Sequence, residues 1–259
     1  MSELLRVLRS EKLFAELKEG KRSDGRKLDE YRAVEITKDI SKNANSSVRV
    51  RLGKTDVLCG FTFILGEPYP DMPNEGSISV TAELLSLAAP NFEAGPPRED
   101  AVELARVVDR GIRESKTLNF EEFCIKGGEK VLIGFIDLYV LNFDGNAFDA
   151  CGIGAISSLL GAKFPKIEDD KIVKGEYAGK LKVSRKPILS TTAKVSGVLV
   201  TDPALEEEES SSARFSVAVT EDDYICAFQK GGLGAMTTKE VDECIDRAFK
   251  NSKQLRKLL

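Results

Sequence analysis

The sequence predicts an α/β protein of two layers, built twice from strands followed by a helix. Three observations predict it. Short apolar or alternating runs crowd residues 31–81 and return over 193–229, at strand spacing. Amphipathic stretches of helical period close each group, at 99–115 and 237–249. Between them Ala147–Leu160 is apolar on nearly all sides, as a helix lying between layers must be. This order implies an internal duplication too diverged to show as a sequence repeat.

The elements follow in order. Residues 3–18 place Leu4, Leu5, Leu8, Leu13, Phe14 and Leu17 in a helical pattern ended by Gly20. Arg22-Ser23-Asp24-Gly25-Arg26 is a turn by its Asp-Gly pair. Its arginines either bind an anion or pin the turn to nearby carboxylates, and the second reading is favoured. Val34–Ile36, Ser47–Leu52, Asp56–Leu65 and Ser77–Thr81 read as strands, broken by Gly53-Lys54-Thr55 and by the proline-rich Gly66–Gly76. Glu83–Ala89 is expected to be helical. After the breaker Gly95-Pro96-Pro97 comes the helix Glu99–Ser115. Val131–Leu141 is a buried strand, and Asp144-Gly145-Asn146 turns it into the apolar helix.

Residues 166–192 are charged and weakly patterned, a connector with one or two short strands. Ala193–Val200, Ser212–Thr220 and Tyr224–Gln229 form the second strand group. Glu206–Glu209 could attract a divalent cation but reads as a solvated turn. The loop Lys230–Gly234 lacks both the G-x-x-x-x-G-K-[ST] and G-x-G-x-x-G patterns, so it is a tight turn rather than a phosphate cradle. Thr237 and Glu240 form a capping box for the last helix, whose apolar face is Val241, Cys244, Ile245, Ala248 and Phe249.

On the 99–115 helix, Ala101, Leu104, Ala105, Val108 and Ile112 fall on one face, while Arg106, Arg110 and Arg113 project from the other. Three guanidinium groups on a helix held by its opposite face can grip a polyanion. Glu103, Asp109 and Glu114 are also spaced to pair with these arginines, so on spacing alone a solvated face is the favoured reading.

The totals exclude several chemistries. The chain has 259 residues, 42% hydrophobic and 31% charged, with a net charge of −4, so any polyanion must be met by a local patch. There is no histidine, which removes Ser-His-Asp and Cys-His catalysis and His-containing metal sites. The five cysteines are dispersed in apolar settings and read as reduced core residues. The charged start is unlike a secretory signal, and the longest apolar stretch is too short to span a bilayer, so a cytoplasmic protein without membrane contact is expected.

Several fragments, in their order and spacing, resemble the RNase PH family of phosphorolytic ribonucleases. They are Arg22-x-Asp24-Gly25-Arg26, Gly53–Leu58, Glu103–Arg113, Asp144-Gly145-Asn146 and the closing strand, Gly loop and Met236-Thr237 helix. Within the family the chain looks most like the non-catalytic ring subunits of the archaeal exosome. The resemblance implies an RNase PH-type fold with duplicated strand-strand-helix units, organised as 1–29 (helix and turn), 30–165 (core domain), 166–192 (connector) and 193–259 (C-terminal domain). It implies alternation with a catalytic paralogue in a hetero-hexameric ring of three heterodimers, carrying cap proteins with RNA-binding domains. Single-stranded RNA would be degraded there from its 3′ end by inorganic phosphate.

Where active members hold phosphate with a hydroxyl residue and an arginine, this chain has Ala147 and Phe148. Where they place a catalytic aspartate, it has Arg214. A methyl and a phenyl group offer phosphate no hydrogen bond, and a guanidinium cannot deliver a proton at neutral pH. The resemblance therefore implies a silent subunit without a cofactor of its own, phosphate and any Mg²⁺ acting at the partner's site. It places Arg106 and Arg110 on the RNA path, with Arg98 and Arg113 as further candidates. The rival readings are an active phosphorolytic ribonuclease in its own right, a small-molecule kinase, and a scaffold without RNA contact.

Overall fold

The computed structural model describes residues 3–259, with side chains from Glu11 onward and that of Lys174 left aside. The first sheet has the order β1 (Val34–Lys38), β2 (Ser46–Leu52), β3 (Thr55–Gly66), β6 (Lys130–Asn142), β4 (Ser77–Leu84), and β5 (Cys124–Lys126) adds to β6. All pairs are antiparallel except β4 with β6, which runs parallel from Ser77 opposite Ile133 to Leu84 opposite Val140. The long helix α2 (Glu99–Glu114) makes that crossover. The second sheet, β10 (Val198–Thr201), β9 (Ile188–Val195), β11 (Ala213–Val219), β12 (Ile225–Gly231), is wholly antiparallel.

Helix α3 (Ala147–Gly161) lies against β2 and β3 of one sheet and β9 of the other. That position explains its lack of a polar face: Ala150, Ile153, Ile156 and Leu159 are buried, and so are Ser157 and Ser158. Helix α5 (Thr238–Leu255) covers the outer face of the second sheet, where Cys244 and Ala248 meet Val217 and Val219. Thr237 and Glu240 cap its start reciprocally. Helix α1 (Glu3–Lys18) docks Leu13 and Leu17 on Ala193, Val195 and Val200 of the second sheet, not on the first domain that follows it in the chain. The expected apolar positions Leu4, Leu5 and Leu8 lie outside the described side chains.

Four expectations are corrected. Glu83–Ala89 is not a helix: β4 runs through Leu84 in register with β6, and a single turn closes from the Ala88 N–H to the Leu85 carbonyl at 2.8 Å. A run that short cannot offset the cost of helix nucleation, whereas the open edge of β6 offers ladder hydrogen bonds at once. Ala193–Val200 is two strands, because Ser196 and Gly197 both take positive φ (48° and 83°) and fold a hairpin whose twist suits the sheet. Within 166–192 the expected strands are present, as the hairpin β7 (Lys163–Glu168) and β8 (Lys171–Lys180), but the last five residues belong to β9 of the second sheet rather than to a connector. Glu206–Glu209 is no solvated turn: it lies in the short helix α4 (Leu205–Glu209), and Glu207 is buried.

Candidate functional site

Helix α2 buries Ala101, Leu104, Ala105, Val108 and Ile112, as its periodicity requires, and Val107 and Gly111 with them. It packs on β4, α3 and β12. Of the ion pairs that spacing allowed among its own residues, one forms: Arg113 to Asp109 at 2.9 Å. The same guanidinium donates to the Ile78 carbonyl at 3.2 Å and faces the Phe120 ring, so Arg113 ties α2 to β4. Arg98, in the loop before the helix, pairs with Glu93 beside a cavity of about 310 Å³. Arg106 and Arg110 are exposed, one turn apart, about 6 Å along the axis. Arg110 reaches β12, donating to the Phe228 carbonyl and the Gln229 side-chain oxygen, each at 3.3 Å. No hydrogen bond or ion pair holds Arg106 among the described residues.

Beside this helix, Ala147, Phe148 and Arg214 come together, although 66 positions separate the last two. They line a cavity of about 200 Å³ with Phe92, Phe143, Asp100, Glu208 and Glu209. Asn146, in the left-handed region at φ 55°, caps α3 through its side chain and turns Ala147 and Phe148 into the first helical turn. The Arg214 guanidinium lies 3.9 Å from the centre of the Phe148 ring and pairs with Glu103 at 2.9 Å. Cation and ring thus stand stacked in the wall of this cavity. The carboxylates on the rim add repulsion toward any anion. Glu208 accepts the Asn146 backbone N–H at 2.5 Å, and burial raises its carboxyl above the usual range.

Behind the cavity stands a buried ionic cluster that the sequence showed only in part. Arg22 is held by Glu207 at 2.5 Å and donates to the carbonyls of Thr201 and Asp202. Arg26 pairs with Asp24 and Asp202, which realises the expected pinning of that turn. Arg32 and Asp202, which sequence reasoning missed, form its centre: Asp202 takes Arg32 at 2.7 Å and the Asn146 amide at 2.7 Å. Asp202 itself sits at φ 49°. Asp149, also missed, accepts from Tyr31, Asn146 and twice from Thr191. The cluster locks the start of α3 to the second sheet and thereby fixes the positions of Ala147 and Phe148.

Burial pushes the Asp149 carboxyl up to about 6. Its unfolded value is near 3.9, so between about pH 4 and 6 the folded chain holds a proton that the unfolded chain has lost. The contribution of this group to stability therefore falls as pH rises through that window. Asp149→Asn is expected to remove a slope worth about 2–3 kcal/mol across it. Denaturant unfolding of both proteins at several pH values checks this, and parallel pH profiles would refute it.

Residues 30–165 match domain 1 of the 3′ exoribonuclease family (RNase PH), and residues 186–251 match its domain 2. The chain is 44% identical over 258 residues to the exosome complex component Rrp42 of Methanopyrus kandleri, covering 98% of this chain and 97% of that one. It is 47% identical over 247 residues to Rrp42 of Pyrococcus horikoshii, covering 94% and 90%. Among solved structures it superposes with a TM-score of 0.93, at 38% identity and over 98% of its length, on a chain of the Archaeoglobus fulgidus exosome with RNA bound to the active site, covering 99% of that chain. The two matched domains, the fold they share and the identity over nearly the whole length make this chain a member of the 3′ exoribonuclease family, of the RNase PH type.

Proposed function

We propose that this chain is a non-catalytic ring subunit of a phosphorolytic 3′-to-5′ exoribonuclease complex, in which it shapes the catalytic partner's surroundings and helps grip RNA. The observation that carries the reading is Arg214 stacked on Phe148, a cation and a ring where the family's chemistry needs a carboxylate and a phosphate clamp. The relatives are named as exosome complex components and the solved chain belongs to an exosome with RNA bound, which supports a ring alternating with a catalytic paralogue; RNA-binding cap proteins belong to the same proposal. The chain brings no cofactor, and phosphate, with Mg²⁺ where it is used, acts at the partner's site. No helix among the described residues is long and apolar enough to cross a membrane. The cytoplasm suits a complex that works on RNA.

Arg106 and Arg110 supply the RNA contact, Arg98 adds to it at the helix entrance, and Arg113 serves mainly to fix α2. Guanidinium forks on phosphate oxygens carry no base information, so binding is sequence-tolerant and salt-dependent. Arg106→Ala with Arg110→Ala is expected to weaken RNA binding by the assembled ring and to lower the slope of log K against log salt by about 0.7 per lost contact. Titration with single-stranded RNA at several salt concentrations tests it. A ring that keeps both affinity and slope would make this subunit a scaffold without RNA contact.

A further inference from the structure

On an isolated helix Glu103, three residues before Arg106, would pair with it. In the folded chain it does not. The Glu103 carboxylate takes Arg214 Nη2 at 2.9 Å and the Gln229 amide nitrogen at 3.0 Å through the same oxygen, Oε1. The other end of that amide, Gln229 Oε1, accepts from Arg110 Nη1 at 3.3 Å. This orientation is the one chemistry permits, since a reversed amide would set donor against guanidinium and acceptor against carboxylate. Arg106 is left without a partner among the described residues.

Arg214 is built to hold Glu103. It stands in β11 directly opposite Gly231 of β12, and a Cβ at Gly231 would lie 2.7 Å from Arg214 Nη2. The missing side chain lets the guanidinium lie along the β12 backbone. Phe148 supports it at 3.9 Å. With these two supports the guanidinium stands beside Glu103 as an ion pair at 2.9 Å, and Glu208 is farther off at 3.9 Å.

We propose that Arg214 is a positioning residue for RNA binding, which engages the Glu103 carboxylate so that Arg106 stays uncompensated and Gln229 holds Arg110 in place. The inference rests on the reading of Arg106 and Arg110 as RNA contacts. It gives the charge reversal at 214 a use beyond the loss of chemistry. Without Arg214, Glu103 is free to swing along its own helix and neutralise Arg106.

The test uses the ring assembled with its catalytic paralogue and a labelled single-stranded oligouridylate. Arg214→Ala is expected to weaken binding about fivefold at about 0.1 M salt, the worth of one phosphate contact on a single strand relative to about 1 M. Adding Glu103→Gln to Arg214→Ala should restore binding to the parental range, because no carboxylate remains to capture Arg106. A loss of packing would not be repaired that way, since an amide in place of the Glu103 carboxylate does not rebuild the stack on Phe148. Assembled mass and melting temperature are followed for each variant. If Arg214→Ala does not assemble, Arg214→Met, with and without Glu103→Gln, carries the same comparison while still covering the ring. Parental binding by the Arg214 variant, or a double variant as weak as the single one, overturns the inference. Parental binding by Arg106→Ala with Arg110→Ala overturns the underlying RNA reading as well. A loss there beside parental binding by Arg214→Ala removes this inference alone.

Discussion

Incubated alone with single-stranded RNA and inorganic phosphate, the purified chain is expected to release no nucleoside diphosphate. Mixed with the catalytic paralogue, it should raise turnover well above that of the paralogue alone. Two losses set the size of the effect. Removing a preorganised group that holds a reacting anion costs about 10²–10³ in rate, and removing the general acid costs about 10²–10⁴. In the proposed reading Ala147 and Phe148 stand for the first loss and Arg214 for the second, and all three line one cavity. The carboxylates that remain nearby do not replace them. Glu103 is tied to Arg214 and Gln229, Glu208 accepts a backbone N–H, and both would repel the phosphate they had to serve. Chromatographic assay of diphosphate release, with the mass of the assembled species, checks both halves. Turnover by the chain alone, lost on mutating one of its own carboxylates, would mean an active enzyme.

Replacing Asp202 by Ala is expected to cost about 3–5 kcal/mol of stability, because it breaks a buried ion-pair network by removing its central carboxylate. The carboxylate is fully buried and is shared by Arg26, Arg32 and the Asn146 amide. Its removal leaves Arg26 with Asp24 alone and Arg32 with the more distant Asp144 at 3.7 Å, although both guanidinium groups are almost wholly out of water. The Arg22–Glu207 pair beside it would persist but lose its surroundings. Asp202→Asn, which keeps the shape and one acceptor, should lie between parent and Ala. The shift of the denaturant midpoint at unchanged slope measures it. A change under about 1 kcal/mol would show that water or repacking compensates the cluster.

The helices were legible where one periodicity ran long enough. In α2 and α5 a single apolar face against charged neighbours fixes both type and orientation, and in α3 the absence of a polar face announced burial on all sides. Glu83–Ala89 misled because a short apolar run fits helix and strand alike, and the deciding partner, β6, lies some fifty residues away. Glu206–Glu209 misled for a related reason. A run of like charges looks solvated until Arg22, 185 positions earlier, is seen to neutralise one of them. In the site, Ala147, Phe148 and Arg214 were recognisable through family resemblance as departures, and the structure brings them into one cavity. What Arg214 does instead depends on Glu103 and Gln229, whose meeting no local pattern records. Positive φ at Asp202 and Asn146 carries no sequence signal beyond residue types that tolerate it.

The docking of α1 on the second sheet bears on how the chain is made. Leu13 and Leu17 leave the ribosome well before the surface that covers them, Ala193, Val195 and Val200, which follows about 180 residues later. Arg22 waits as long for Glu207, and at about 5–20 residues per second the delay is roughly 10–40 s. Throughout that interval the first domain can close its own sheet while the leading helix stays bare. The helix thus finds its seat only after the strands of the second sheet, far downstream in the chain, have been synthesised.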